Sequence, residues 1–199
     1  MRRKFLSIGL ILAGIILIST VIVIAIYKNG HVAQYKNTHT KRFESTDSHA
    51  SFDYPDSARL GVLSADDTKQ HVLARIEHTD QPEYLITVRT ESNLQSVAQL
   101  AHTDIRTLVY NNAKKALPER YTSDYHEISS RTFEFTTLPA AEIIFQYTGP
   151  AGLMVTQRLV MMIHDDSVYY IAAQSKTSDY DTATRAVFEG VLHSLAFRN

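Results

Sequence analysis

Between Gln157 and Ser175 the chain reads QRLVMMIHDDSVYYIAAQS, and the triplet His164-Asp165-Asp166 inside it comes nearest to chemistry of any stretch. An imidazole beside two carboxylates could ligate a metal ion or move a proton. A metal site needs three or four converging ligands held by supporting partners, and three residues adjacent in a chain cannot all face inward. The apolar runs on either side, Met161-Met162-Ile163 and Val168-Tyr169-Tyr170-Ile171, need a short polar connection. His164-Asp165-Asp166-Ser167 therefore reads as a hairpin turn, with a weak metal contact as the competing reading. Asp66-Asp67 with His71 is a second local cluster, and the same argument makes it a solvated loop. His78, His102, His126 and His193 are scattered, while His31, His39 and His49 are spaced too widely in a polar stretch to form a metal clamp. The sequence carries no GxSxG, HExxH, P-loop or GxGxxG pattern. No catalytic, cofactor-binding or metal residue is assigned, and no cofactor is called for.

The elements around these residues are legible from periodicity. Phe52-Asp53-Tyr54-Pro55 reads as a short strand closed by proline, which has no amide to give to a ladder. Val72, Ala74 and Ile76 share one face of a strand and Tyr84, Ile86 and Val88 one face of the next, with Asp80-Gln81-Pro82 between them. Apolar residues from Leu94 through Val97, Ala98, Ala101, Ile105, Leu108, Val109 and Asn112 to Ala116 predict one long helix, capped by Ser92 with Gln95 and stopped by Pro118. Strands return over residues 128–135, 140–148, 153–163 and 168–175; Leu159 to Ile163 is apolar on both faces, as a central covered strand must be. A second helix follows, with Ser178 and Asp181 at capping-box spacing and Tyr180, Thr184, Val187, Phe188, Val191, Leu192 and Leu195 as its buried stripe. Strands, helix, strands, helix with hairpin-length connections predict an α+β fold, an antiparallel sheet flanked by helices in an α/β/α sandwich.

The other strong signal is at the N-terminus. Phe5 to Tyr27 is 23 residues without a charge; as a helix it covers about 34 Å, against a bilayer core of about 30 Å. The run is too long for a signal peptide, and it ends in Tyr27 where a cleavage site needs a small residue. Arg2, Arg3 and Lys4 precede it and Lys28 alone follows at once, which predicts a cytoplasmic N-terminus and an extracytoplasmic remainder. The predicted layout is a stub at 1–4, a single-pass transmembrane helix at 5–27 in the lipid bilayer, a flexible tether at 28–50 and a domain at 51–199. The tether is polar, and Lys36, Lys41 and Arg42 in it are too few for a lipid-binding patch. Beyond Lys28 there are 16 basic residues against 21 acidic ones, so nucleic acid is not an expected partner. The chain has no cysteine, which excludes disulfides, thiol catalysis and iron–sulfur clusters.

The tyrosine-proline end at Tyr54-Pro55, the hairpin before a long helix, Leu138-Pro139-Ala140-Ala141 leading into a strand and the closing helix from Phe188 to Phe197 together resemble the PsbP family, over about residues 51–197. The family commonly has a tryptophan after the first tyrosine-proline, where this chain continues Asp56-Ser57-Ala58. The resemblance implies an extracytoplasmic α/β/α sandwich acting as a non-enzymatic accessory or assembly factor for membrane complexes. Two functional readings follow. One is a membrane-anchored accessory protein that binds a protein partner in the membrane or envelope. The alternative is a ligand-binding or hydrolytic domain acting on envelope material, with Asp66, Asp67, His71, His164, Asp165 or Asp166 in its site.

Overall fold

A computed structural model describes residues 39–80, 82–121 and 124–198. The predicted span at 5–27 and most of the predicted tether lie outside them. Among the described residues no helix is long and apolar enough to cross a membrane.

Seven strands form one antiparallel sheet: β3 (Arg59–Leu60), β4 (Val72–His78), β5 (Tyr84–Ser92), β6 (His126–Phe135), β7 (Leu138–Thr148), β8 (Met154–His164) and β9 (Ser167–Lys176). Their order is β3-β4-β5-β9-β8-β7-β6. The alternation read in the sequence sets the register: Val72, Ala74, Ile76, Tyr84, Ile86 and Val88 are all buried. The strand that is apolar on both faces is β8, and it is interior. Met161 packs into one core and its neighbour Met162 into the other, because successive side chains leave opposite faces of the sheet. At the sheet's end, β6 bulges between Glu127 and Ser129, which leaves Ile128 exposed on the edge strand.

One face is covered by helices α2 (Leu94–Leu100) and α3 (Ile105–Arg120), through Leu94, Ala98, Ile105, Val109 and Leu117 against Ile143, Phe145, Leu159 and Met161. The single long helix predicted here is broken in two. At the break His102 takes a left-handed φ of 51°, and the Asp104 carboxylate accepts the Thr107 N–H at 2.9 Å, starting α3 afresh. The predicted cap at Ser92 does not form: its hydroxyl meets that of Ser167 at 2.8 Å, and the Gln95 N–H donates to Asp166. Pro118 does not stop the helix either. It lies in the last turn, where losing one amide costs a single bond, and the Tyr121 N–H still reaches the Leu117 carbonyl at 2.9 Å. Val97, Ala101, Asn112 and Ala116, on the predicted stripe, are exposed, and the buried residues of α3 are Ile105, Val109 and Leu117. Lys114 reaches across to the Glu127 carboxylate of β6, tying helix to sheet edge.

The opposite face is covered by a smaller sheet, β1 (Thr40–Glu44), β2 (Ala50–Pro55) and β10 (Ala196–Phe197) in the order β1-β2-β10, together with α5 (Arg185–Ser194). Ala50, Phe52, Tyr54, Phe188, Val191 and Leu192 fill this second core. Ahead of α5, a short α4 (Thr177–Asp179) runs into a π-helical turn, Tyr180–Thr184. The capping box expected at Ser178 and Asp181 is absent, since Ser178 donates to Asp179 instead, but Tyr180, Thr184, Phe188, Val191 and Leu192 are buried as the stripe predicts.

The domain also starts earlier than Ser51. Strand β1 falls inside the expected tether and pairs with β2 from Thr40 opposite Pro55 to Glu44 opposite Ser51. Phe43 stacks on Phe52 at 4.8 Å, Arg42 binds Asp53 at 2.8 Å, and Lys41 meets Asp56 at 3.0 Å. An edge strand held by backbone pairing and one aromatic contact has no hydrophobic period to announce it.

Candidate functional site

The residues singled out in the sequence are dispersed by the fold. Asp165 and Asp166 form the turn between β8 and β9, with His164 opposite Ser167 and Asp165 at φ 53°. Asp166 then serves the start of α2: its carboxylate accepts from Gln95 and its carbonyl from Leu94 at 3.3 Å. His164 stacks on Phe197 at 4.4 Å, with its Nδ1 3.4 Å from Asp165. Asp66 and Asp67 belong to a short helix, α1 (Ala65–Lys69), which Ser64 and Asp67 close with a reciprocal capping box. Backbone and side-chain donation from Ser64, with help from the Arg75 charge, holds the Asp67 carboxyl below its usual range. His71, His164 and Asp165 do line a common cleft of about 660 Å³. Among the described residues no group of three or more histidine, aspartate and glutamate side chains can hold a metal ion.

A second cleft, of about 620 Å³, opens between α3 and the faces of β5, β9 and β8, where the helix leaves the sheet partly uncovered. Its lining includes the apolar Leu159, Ala172, Val109, Ala113 and Leu117 beside the polar Thr87 and Asn112. At one end Gln157 and Gln174 stand opposite each other on β8 and β9, so their side chains share one face as cross-strand neighbours. The Tyr121 hydroxyl donates to Gln157 Oε1 at 3.2 Å, and the Tyr147 hydroxyl to Gln174 Oε1 at 3.3 Å. The two tyrosine rings lie 4.3 Å apart. Burial, and then the neighbouring Tyr121, push the Tyr147 phenol up to about 12, so it stays a neutral donor at ordinary pH. With each amide oxygen engaged, each Nε2 remains a donor without a partner among the described residues.

Arg120, at the end of α3, lines the same end and sits 5.6 Å from the Tyr121 ring. Further along, the Arg89 guanidinium lies 3.9 Å over the Tyr170 ring, whose hydroxyl donates to Glu91 at 3.0 Å. The polar residues Gln157, Gln174, Arg120 and Tyr121 were not singled out in the sequence, whereas the candidate Asp67 also lines this cleft. Two glutamines 17 positions apart carry no motif, and only the β8–β9 register brings them together.

A third polar group is sealed beneath α5. Arg158 and Glu142 are 7% and 4% exposed, and the Arg158 guanidinium donates to Glu142 and to Glu189, each at 2.5 Å. Burial lowers the Arg158 pKa, but Glu189 and Glu142 together outweigh it and raise the pKa above the ordinary guanidinium value. Beside it the hydroxyls of Tyr180 and Thr184, in the π-helical turn, are buried without a partner.

Fold and clefts together define an α+β sandwich domain: an antiparallel seven-stranded sheet, helices on one face, and a helix with a three-stranded sheet on the other. The fold is PsbP-like. The solution structure of cyanobacterial PsbP (CyanoP) from Synechocystis sp. PCC 6803 matches with a TM-score of 0.60 at 11% identity, over 83% of this chain and 96% of that one. The crystal structure of LpqN, involved in cell envelope biogenesis of Mycobacterium tuberculosis, matches with 0.53 at 10% identity, over 82% and 93%. A Bacteroides thetaiotaomicron protein matches with 0.50 at 12% identity, over 80% of this chain and 48% of that one. No family model and no curated protein matches the chain. At such identities the likeness is one of fold, and fold alone does not choose a function.

Proposed function

We propose that this chain is an accessory protein of the cell envelope: a non-enzymatic binding domain held at the membrane by residues 5–27 and displayed on the extracytoplasmic side. The observation that carries this reading is the fold shared with CyanoP and with LpqN, the latter involved in cell envelope biogenesis. The uncharged run from Phe5 to Tyr27 and the net negative charge beyond it support the placement. Occupation of the acidic residues favours binding over hydrolysis, since Asp66, Asp67 and Asp166 are engaged at helix starts or in ion pairs.

The test is crosslinking in cells of the tagged full-length chain, read by mass spectrometry, beside a form exported without residues 1–29. A specific envelope or membrane protein captured through the anchored form supports the proposal. No specific protein captured by either form overturns it.

A further inference from the structure

We infer that the cleft between α3 and the sheet is a binding site for a single-chain amphiphile with an anionic head. The head is held by Gln157, Gln174 and Arg120, and the chain lies along Leu159, Ala172, Val109 and Leu117. At the glutamine end the two Nε2 groups are donors without a partner among the described residues, since each amide oxygen accepts from a tyrosine, and Arg120 makes no ion pair among the described residues. Two free donors beside a cation in a partly enclosed cleft match a carboxylate or phosphate oxygen.

The two carboxylates that line the cleft do not compete for this end. Asp67 is bound by Ser64 and Arg75, and Glu91 by Tyr170. Glu91 also lies six residues along β5 from Leu85, the partner of Gln174, which is about 20 Å at the rise of a strand. Past that end the lining carries apolar side chains down to core residues such as Val109, 3% exposed, beside polar ones such as Thr87 and Asn112. The volume of about 620 Å³ lies within the range of about 300 to 1,000 Å³ usual for small-ligand sites. A cationic, donor-bearing head site beside a run of apolar side chains fits an amphiphile better than a free inorganic anion. The inference stands apart from the identity of any protein partner.

The experiment uses the full-length chain in phosphatidylcholine nanodiscs and a diazirine-tagged dodecanoate as photoprobe, with mass spectrometry to locate the label. The expected result is labelling on α3 between 108 and 117 or at Leu159 and Ala172, displaced by dodecanoate or dodecyl phosphate and not by dodecanol. Whichever anion displaces the probe better identifies the head. Arg120→Gln and Gln174→Leu should each weaken capture about tenfold, the loss of one charge-assisted or donor contact. Arg120 is exposed, so its variant keeps the test valid if Gln174→Leu fails to fold. Displacement by dodecanol as good as by dodecanoate, or undiminished capture in Arg120→Gln, or label confined to residues 5–27, would overturn the inference.

Discussion

Glu142 and Arg158 are charged side chains buried in the sheet, with Glu189 of α5 and the exposed Arg131 of β6 completing their ion pairs. Removing one member leaves the other a single partner, Glu189 for Arg158 and Arg131 for Glu142. Glu142→Leu is expected to cost up to about 3 kcal/mol in urea unfolding, whereas Glu142→Leu with Arg158→Met should recover most of that loss. Arg158 also lies 5.0 Å over the Phe188 ring, so the long apolar replacement keeps the contact with α5. Asp104 makes a simpler case. Donation from the Thr107 backbone, then from its hydroxyl, lowers the Asp104 pKa. Its stabilising effect is therefore complete above the ordinary carboxylate pKa and is lost as pH falls through the lowered one. Asp104→Ala should cost about 1 kcal/mol near neutral pH; Asp104→Asn should keep most of the cap and flatten the acid limb of a pH–stability curve.

At the scale of elements, the breaks in regular structure sit at residues forced into left-handed backbone. Thr136 opens the two-residue connection between β6 and β7 at φ 60°, a conformation that a β-branched side chain resists. Thr136→Gly relieves that strain, offset by the entropy glycine adds to the unfolded chain, for a net gain of up to about 1 kcal/mol. That corresponds to a rise in Tm of about 2–4 °C in a melt followed by circular dichroism. An unchanged or lower Tm would show that the hairpin needs the threonine for something other than its turn. The helix break at His102 belongs to the same class, and it matters more for function: it ends α2 and re-aims α3, and α3 forms the upper wall of the cleft.

Across the molecule, two cores on opposite faces of one sheet stabilise a chain that has no disulfide to help. The described residues 39–198 contain both, together with the cleft and the sealed ion group. The anchor proposal predicts that full-length protein stays with membranes through carbonate washing, while a chain beginning at Thr38 is recovered soluble and folded. Recovery of the full-length chain in the soluble fraction would remove residues 5–27 as a bilayer span.

The sequence by itself determined strands β2 and β4 to β9, the two hairpins among them, the doubly buried β8, the buried stripe of the closing helix and the turn at Asp165-Asp166, because each rests on local periodicity or on turn-forming residues. It also carried the PsbP-like order of elements. Tertiary structure alone decided the rest. Strand β1 is held by pairing to β2 and by one stacked ring, which leave no period in a polar stretch. The unbroken apolar stripe from Leu94 to Ala116 hid the restart at Asp104, since a stripe records burial and not continuity of hydrogen bonds. The glutamine pair is the clearest case: Gln157 and Gln174 are ordinary polar residues in the chain, and only the register of β8 against β9, with Tyr121 and Tyr147 supplied from two other elements, turns them into a set of free donors.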